Sequence, residues 1–177
     1  FQILDSGDQL SAIKRLMKAM NVDDEKYPPR EMQNFISGRK EEGLRASEVE
    51  AYDSYTRRKI EVFAEYDAQC QREGVVDFAE LLLRTYELMR DNQALREHYQ
   101  RRFAHILVDE FQDTSWTQLE LVGRLTSGWD ESDGRTLFVV GDPMQSIYRF
   151  REAEVRNFLD ARMAARMPMI SIARWTE

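Results

Sequence analysis

The spacing of apolar residues divides the chain into two parts. Through the first hundred residues, apolar side chains recur at helical intervals. Leu10, Ile13, Leu16, Met17 and Met20 form one stripe, and Ser6-x-x-Gln9 ahead of it reads as a capping box. Pro28-Pro29 interrupts the chain and suits the first turn of a second helix, which carries Met32, Phe35 and Ile36 before Gly43. Ser47-x-x-Glu50 is expected to open a long third helix, with Tyr52, Tyr55, Phe63, Tyr66 and Cys70 along one side and Gly74 at its end. Asp77-x-x-Glu80 caps a fourth helix carrying Leu81, Leu82, Leu88 and Met89, and a shorter one follows around Leu95, Tyr99 and Phe103. Aromatic and methionine stripes at this spacing predict core rather than ligand boxes.

After Phe103 the pattern changes. Ile106-Leu107-Val108 is short, apolar and partly β-branched, as expected of a strand buried on both faces of a parallel sheet. Ser115-x-x-Gln118 caps a helix through Leu119, Leu121, Val122 and Leu125, and a polar loop runs from Ser127 to Arg135. Leu137 to Val140 reads as a second buried strand, ended by Gly141-Asp142-Pro143, and a last helix carries Val155, Phe158 and Leu159. Strand, helix, strand is half of an α/β sheet. The expected class is therefore α/β overall but predominantly helical. Residues 1-103 form a helical subdomain, 104-162 part of a parallel-sheet core, and 163-177 a tail without assignment.

Composition narrows the function classes. The chain is 42% hydrophobic and 32% charged, the balance of a globular protein rather than a disordered one. No apolar run is long enough to cross a bilayer, and Phe1-Gln2-Ile3-Leu4 has neither a basic region nor a cleavage site, so no membrane partner is expected. One cysteine, Cys70, argues against a disulfide framework and for a reducing interior such as the cytoplasm. His98 and His105 are too scattered for a zinc centre. The net charge of -7 means that any nucleic-acid contact must rely on local basic clusters. Arg39-Lys40, Arg57-Arg58-Lys59 and Arg101-Arg102 read as solvated helix faces, whereas Arg149, Arg151 and Arg156 sit within a motif.

The chemistry gathers at the two strand ends, where open α/β sheets bind ligands. Asp109-Glu110-Phe111-Gln112-Asp113 follows the first strand, and Gly141-Asp142-Pro143-Met144-Gln145 follows the second. An aspartate there can hold magnesium bridging the β- and γ-phosphate oxygens of a nucleotide. The adjacent glutamate can orient and deprotonate the attacking water. The same acids also suit a loop start or a helix cap. Gln145 follows closely enough to reach a γ-phosphate at the same sheet edge. Tyr148 and Phe150, interleaved with Arg149 and Arg151, suit base stacking with phosphate contact, or the core of a loop-to-helix junction.

At these residues the sequence resembles the UvrD/Rep/PcrA and RecB/AddA helicases of superfamily 1. Ile106 to Thr114 looks like helicase motif II in its DEFQD form, and Val139 to Arg151 looks like motif III. Gly74 to Leu82 is similar to the family's VDFxxLL segment, and Leu4 to Phe103 resembles the 1B subdomain. The resemblance implies a P-loop, RecA-like core for the second part. It implies that Asp109 binds magnesium, that Glu110 activates water, and that Gln112 and Asp113 link the nucleotide site to neighbouring motifs. Gln145 would contact the γ-phosphate and couple its loss to DNA movement. Asp77, Phe78, Tyr148, Phe150 and Arg151 would contact DNA.

The family uses ATP and Mg2+ to translocate, typically 3′ to 5′, and to unwind duplexes in repair or recombination. Single-stranded and duplex DNA are the implied partners, with other repair or recombination subunits. The sequence departs from the family in three places. No G-x-x-x-x-G-K-[ST] loop occurs in it, Phe150 stands where tryptophan is common, and Arg151-Glu152-Ala153-Glu154 replaces R-G-A-D/E. The chain is thus expected to be an internal piece of such a helicase that by itself hydrolyses little or no ATP. Two other readings stay open. One is a DNA- or partner-binding helical module without catalysis. The other is a metal-dependent nuclease built on Asp109, Glu110, Asp113 and Asp142.

Overall fold

The computed structural model describes residues 1–130 and 132–141, together with the backbone of one later strand, residues 170–173. The chain divides into two compact units, Phe1–Arg84 and Thr85–Glu177. The division falls within a helix, and the change of apolar period near residue 103 lies inside the second unit.

The first unit begins with a three-residue strand, β1 (Gln2–Leu4), followed by α1 (Ser6–Ala19). The cap of α1 is Asp5, whose Oδ1 accepts from Asp8 N at 2.8 Å, and not Ser6, which is already helical. A carboxylate one residue earlier serves the same orphan N–H and also suits the positive end of the helix dipole. Helix α2 (Pro29–Glu41) starts at the proline pair, as its fixed φ favours. Ser47 does not open the long helix. A 3-10 turn (Ala46–Glu48) is closed by Arg45 N donating to Glu48 Oε2 at 2.7 Å. Helix α3 (Ser54–Glu73) then starts from Asp53, which accepts from Thr56 N at 2.6 Å. Tyr52 therefore lies outside α3 and is exposed, while Phe63, Tyr66 and Cys70 are buried as their spacing predicts. Gly74, with φ of 67°, ends α3 in the left-handed conformation that glycine tolerates best.

Strand β2 (Val75–Asp77) pairs in parallel with β1, with Leu4 opposite Asp77, and leads directly into α4 (Phe78–Asp91). Neither short strand is visible in the apolar pattern. Ile13, Met17, Met32, Ile36, Val62, Phe63 and Tyr66 form the core of this unit. The buried face of α4 carries Ala79, Leu83, Tyr86 and Met89; of the expected stripe, Met89 is buried, Leu81 and Leu82 are half-buried and Leu88 is exposed.

The second unit contains α5 (Gln93–Arg102), β3 (His105–Val108), a 3-10 turn (Phe111–Asp113), α6 (Trp116–Thr126), β4 (Thr136–Val140) and β5 (Ile170–Ala173). Strands β3, β4 and β5 form a parallel sheet in that order, with Val108 opposite Val139 and Val140 opposite Ala173. The predicted capping box of α6 is present: Gln118 Oε1 accepts from Ser115 N at 2.8 Å, and Ser115 Oγ from Gln118 N at 3.4 Å. Strand β5 lies in the tail that the apolar pattern left unassigned, and the expected helix around Phe158 falls outside the described residues.

Among the described residues, the two faces of the sheet differ in burial. Leu137 and Val139 are buried with Phe111 and Trp129, and Ile106, Val108, Leu119 and Val122 pack against them. Leu107 and Phe138, which face each other across the strands, are 66% and 39% exposed. Alternation along a strand puts neighbours on opposite faces, and here only one face has α6 and the Trp129 loop against it. In this chain, Leu137→Ala is expected to cost about 2–4 kcal/mol of unfolding free energy, as for a buried leucine. Leu107→Ala is expected to cost under about 1 kcal/mol. Denaturant melts of the two variants check this contrast.

Candidate functional site

The chemistry-bearing residues fall in two places, one in each unit. In the first unit, Lys40 lies at the end of α2 with its side chain 1% exposed. Its Nζ stands 2.9 Å from Asp67 Oδ1 on α3, 3.1 Å from Asp77 Oδ2 at the end of β2, and 2.8 Å from Glu80 Oε2 on α4. The ammonium also lies 5.2 Å from the centre of the Tyr66 ring and 5.8 Å from that of Phe63. Arg45 and Arg84 reach Glu80 Oε1 at 2.8 and 2.6 Å. A polar cavity of about 300 Å³ opens beside these groups.

Asp77 is held from several directions. Its Oδ1 accepts from Glu80 N at 2.7 Å, which caps α4. Its Oδ2 accepts from Tyr66 Oη at 2.9 Å and Gln9 Nε2 at 3.4 Å besides Lys40. Only 2% of Asp77 is exposed, so its carboxylate serves the fold rather than offering itself to a ligand. The next residue is its opposite: the Phe78 ring, at the first position of α4, is 65% exposed.

Burial works against the Lys40 charge, yet the fields of Asp77, Asp67 and Glu80 outweigh it and hold the ammonium well above the usual lysine range. Burial alone would raise the Glu80 carboxyl, but Lys40, with Arg45 and Arg84, brings it down to about 2 from an ordinary 4.5. Asp67 moves the opposite way although it faces the same ammonium: burial raises its carboxyl, and Lys40 offsets this only in part. Burial and the neighbouring Asp77 push the Tyr66 phenol up, so it remains a donor.

The sequence pattern places Lys40 with Arg39 on a solvated face, whereas the structure buries it. A signal was available, since Met32, Ile36 and Lys40 are spaced at i, i+4 and i+8 and so share one helix face.

In the second unit, Asp109 and Glu110 follow β3, and both are exposed. Asp109 Oδ1 accepts from Glu110 N at 2.9 Å. Glu110 has φ of 49° and ψ of 41°, a left-handed conformation that costs a non-glycine residue on the order of 1 kcal/mol. Its carbonyl accepts from Asp113 N at 2.8 Å, closing the turn Phe111–Asp113. Gln112 is buried and Asp113 half-buried. The two strand ends meet here. A Cβ on Gly141, just past β4, would fall 2.7 Å from Gln112 Oε1 and 3.2 Å from both Gln112 N and Phe111 Cβ.

Among the described residues, no basic side chain pairs with Asp109 or Glu110, and no group of three His, Cys, Asp or Glu converges as a metal cage. Magnesium needs only one or two carboxylates when phosphate oxygens and water complete its shell, so an exposed strand-end pair fits such an ion. A two-metal nuclease cluster would also need Asp113 and Asp142; Asp113 does not join the others in a cage, and Asp142 lies outside the described residues. Gln145, Tyr148, Phe150 and Arg151 also lie outside them.

Two predictions follow from this geometry. Because the Glu80 carboxyl is depressed in the folded state, its stabilisation is present above its ordinary 4.5 and is lost as pH falls towards about 2. The expected loss is about 2–3 kcal/mol, less what Asp67 returns through its opposite shift and what water at the cavity screens. Thermal melts across that range should show a shallower acid dependence for Glu80→Gln than for the parent. Gly141→Ala, for its part, must move the Gln112 turn or strain β4, and is expected to cost about 1–3 kcal/mol in a denaturant melt.

Comparison with known proteins brings the two places under one family. Residues 1–165 match the UvrD/REP helicase N-terminal domain. Over 158 residues the chain is 46% identical to DNA helicase II of Escherichia coli, covering 89% of this chain and 21% of that protein. It is 44% identical over 160 residues to DNA helicase II of Haemophilus influenzae. Over 161 residues it is 38% identical to the ATP-dependent DNA helicase PcrA of Bacillus subtilis, again covering 21% of the relative. The chain thus spans about a fifth of the length of these relatives. No helix among the described residues is long and apolar enough to cross a membrane. On the match over residues 1–165, the chain belongs to the UvrD/REP helicase N-terminal domain family.

Proposed function

We propose that this chain is part of an ATP-dependent DNA helicase, translocating 3′ to 5′ on single strands during repair or recombination in the cytoplasm. The observation that carries the reading is the carboxyl edge of β3 and β4. There an exposed Asp109-Glu110 pair, with Glu110 in a left-handed conformation, backs onto Gly141 through Gln112. Asp109 would hold magnesium, which would supply charge neutralisation at the nucleotide's phosphates. Glu110 orients and deprotonates the attacking water. Gln112 and Asp113 would link this site to neighbouring motifs, and Gln145 would contact the γ-phosphate. Tyr148 and Phe150 stack on single-stranded bases with Arg151 beside them, and Phe78 offers a further stacking surface. In this reading Asp77 acts through its neighbours rather than on DNA.

In this reading residues 1-103 correspond to the family's 1B subdomain, and residues 104-162 to part of the RecA-like core. A second reading, a helical DNA-binding module without catalysis, is supported by the separate core of Phe1–Arg84.

Titration of Mg-ATP and of single-stranded DNA into this chain, at low and moderate salt, tests both. The expected result is no tight ATP binding or turnover, because the 177 residues contain no phosphate loop, with weak DNA binding that falls steeply with salt. Tight ATP binding, or hydrolysis lost in Glu110→Gln, would show that this chain has a phosphate cradle of its own. DNA binding that ignores salt would count against both readings.

A further inference from the structure

A buried carboxylate bonded through both its oxygens immediately precedes the most exposed helical aromatic residue described in the first unit. Asp77 Oδ2 lies 3.1 Å from Lys40 Nζ and 2.9 Å from Tyr66 Oη, while its Oδ1 caps α4 through Glu80 N. Lys40 also holds Glu80 at 2.8 Å, so one buried ammonium grips both the cap and the first-turn acid of α4. Between those two anchors sit Phe78 and Ala79, and Ala79 is buried. The backbone at Phe78 is therefore pinned from both sides, by the cap and β1–β2 pairing before it and by the buried Ala79-Glu80 step after it.

A phenylalanine that is 65% exposed contributes little to its own unit's core. Holding such a ring in one place has a cost in conformational freedom that a stacking surface recovers on binding, because a preordered partner loses less entropy. A stacking ring on a frayed helix start would forfeit that advantage.

We propose that the buried Lys40–Asp77 pair is a positioning element for single-stranded DNA binding: it orders the start of α4 so that the Phe78 ring is presented for base stacking. The proposal rests on the reading of Phe78 as a DNA contact. Asp77 and Lys40 themselves touch no DNA in it. They are 2% and 1% exposed, and their effect passes through Phe78.

The test is a double-mutant cycle on the full chain, using fluorescence anisotropy of a labelled oligothymidylate at low salt. Asp77→Asn keeps an oxygen able to cap Glu80 N but removes the charge facing Lys40, which retains Asp67 and Glu80 as counterions. Phe78→Ala is expected to weaken binding by about 5- to 100-fold, the range for loss of one stacked base. Asp77→Asn should weaken it in the same direction, by up to that factor, and should have less than about a twofold further effect when Phe78→Ala is already present. Lys40→Met should behave alike. If it fails to fold by circular dichroism, the Asp77→Asn cycle alone decides. The 19F resonance of 4-fluorophenylalanine placed at Phe78 gives an independent readout. It should be one narrow line in the parent, and broadened or doubled in Asp77→Asn.

Folded variants that bind DNA like the parent, or losses that add to that of Phe78→Ala, would overturn the positioning role while leaving Phe78 as a contact. Unchanged binding in Phe78→Ala would remove the DNA reading of that ring, and the proposal with it.

Discussion

A lysine ammonium taken out of water among three carboxylates holds the first unit together. Desolvating a charge costs several kcal/mol, and only close counterions with additional hydrogen bonds offset it. Lys40, carried by α2, meets that condition because α3, β2 and α4 each bring a carboxylate to it. The requirement acts in reverse as well. Any one of these elements, displaced by more than an ångström or so, would remove one of the three counterions that offset a buried charge. The network thus selects one arrangement of four elements more sharply than the surrounding aliphatic core can, since apolar contacts tolerate sliding.

That constraint explains local features that otherwise look unrelated. The phase of α4 puts Glu80 and Leu83 inward and Leu88 outward, which brings Glu80 to Lys40 and Arg45. The three-residue pairing of β1 with β2 is too short to be stable alone, yet it ends at Asp77, which the lysine holds. Gln9 on α1 and Tyr66 on α3 complete the lone pairs of the same carboxylate.

Acids in the second unit are used in the opposite way. Asp109 and Glu110 are exposed and without a basic partner among the described residues, and Glu110 sits in a strained backbone conformation. Paired, buried acids serve stability. Exposed acids at the carboxyl edge of a parallel sheet stand where open α/β sheets bind ligands. Burial and pairing thus distinguish the two sets of carboxylates, where residue type alone does not.

Much of this was legible in the residues alone. The proline pair before α2, the glycine closing α3, Asp77 as the cap of α4 and the Ser115 box of α6 are local signals, because each depends on groups within about four residues. The two apolar strands and the acids after them were legible for the same reason. Where two local signals competed, the sequence did not rank them: Asp5 prevailed over Ser6, and Asp53 over Ser47. What required the tertiary structure lies between distant residues. Lys40 and Asp77 are 37 positions apart, and nothing near either one shows that they meet. The short β1–β2 pair, the uncovered Leu107–Phe138 face and the closeness of Gly141 to Gln112 are likewise long-range. Short-range hydrogen bonding and periodicity wrote the elements into the sequence; which charges would be buried together, and which face left open, was decided only when those elements packed.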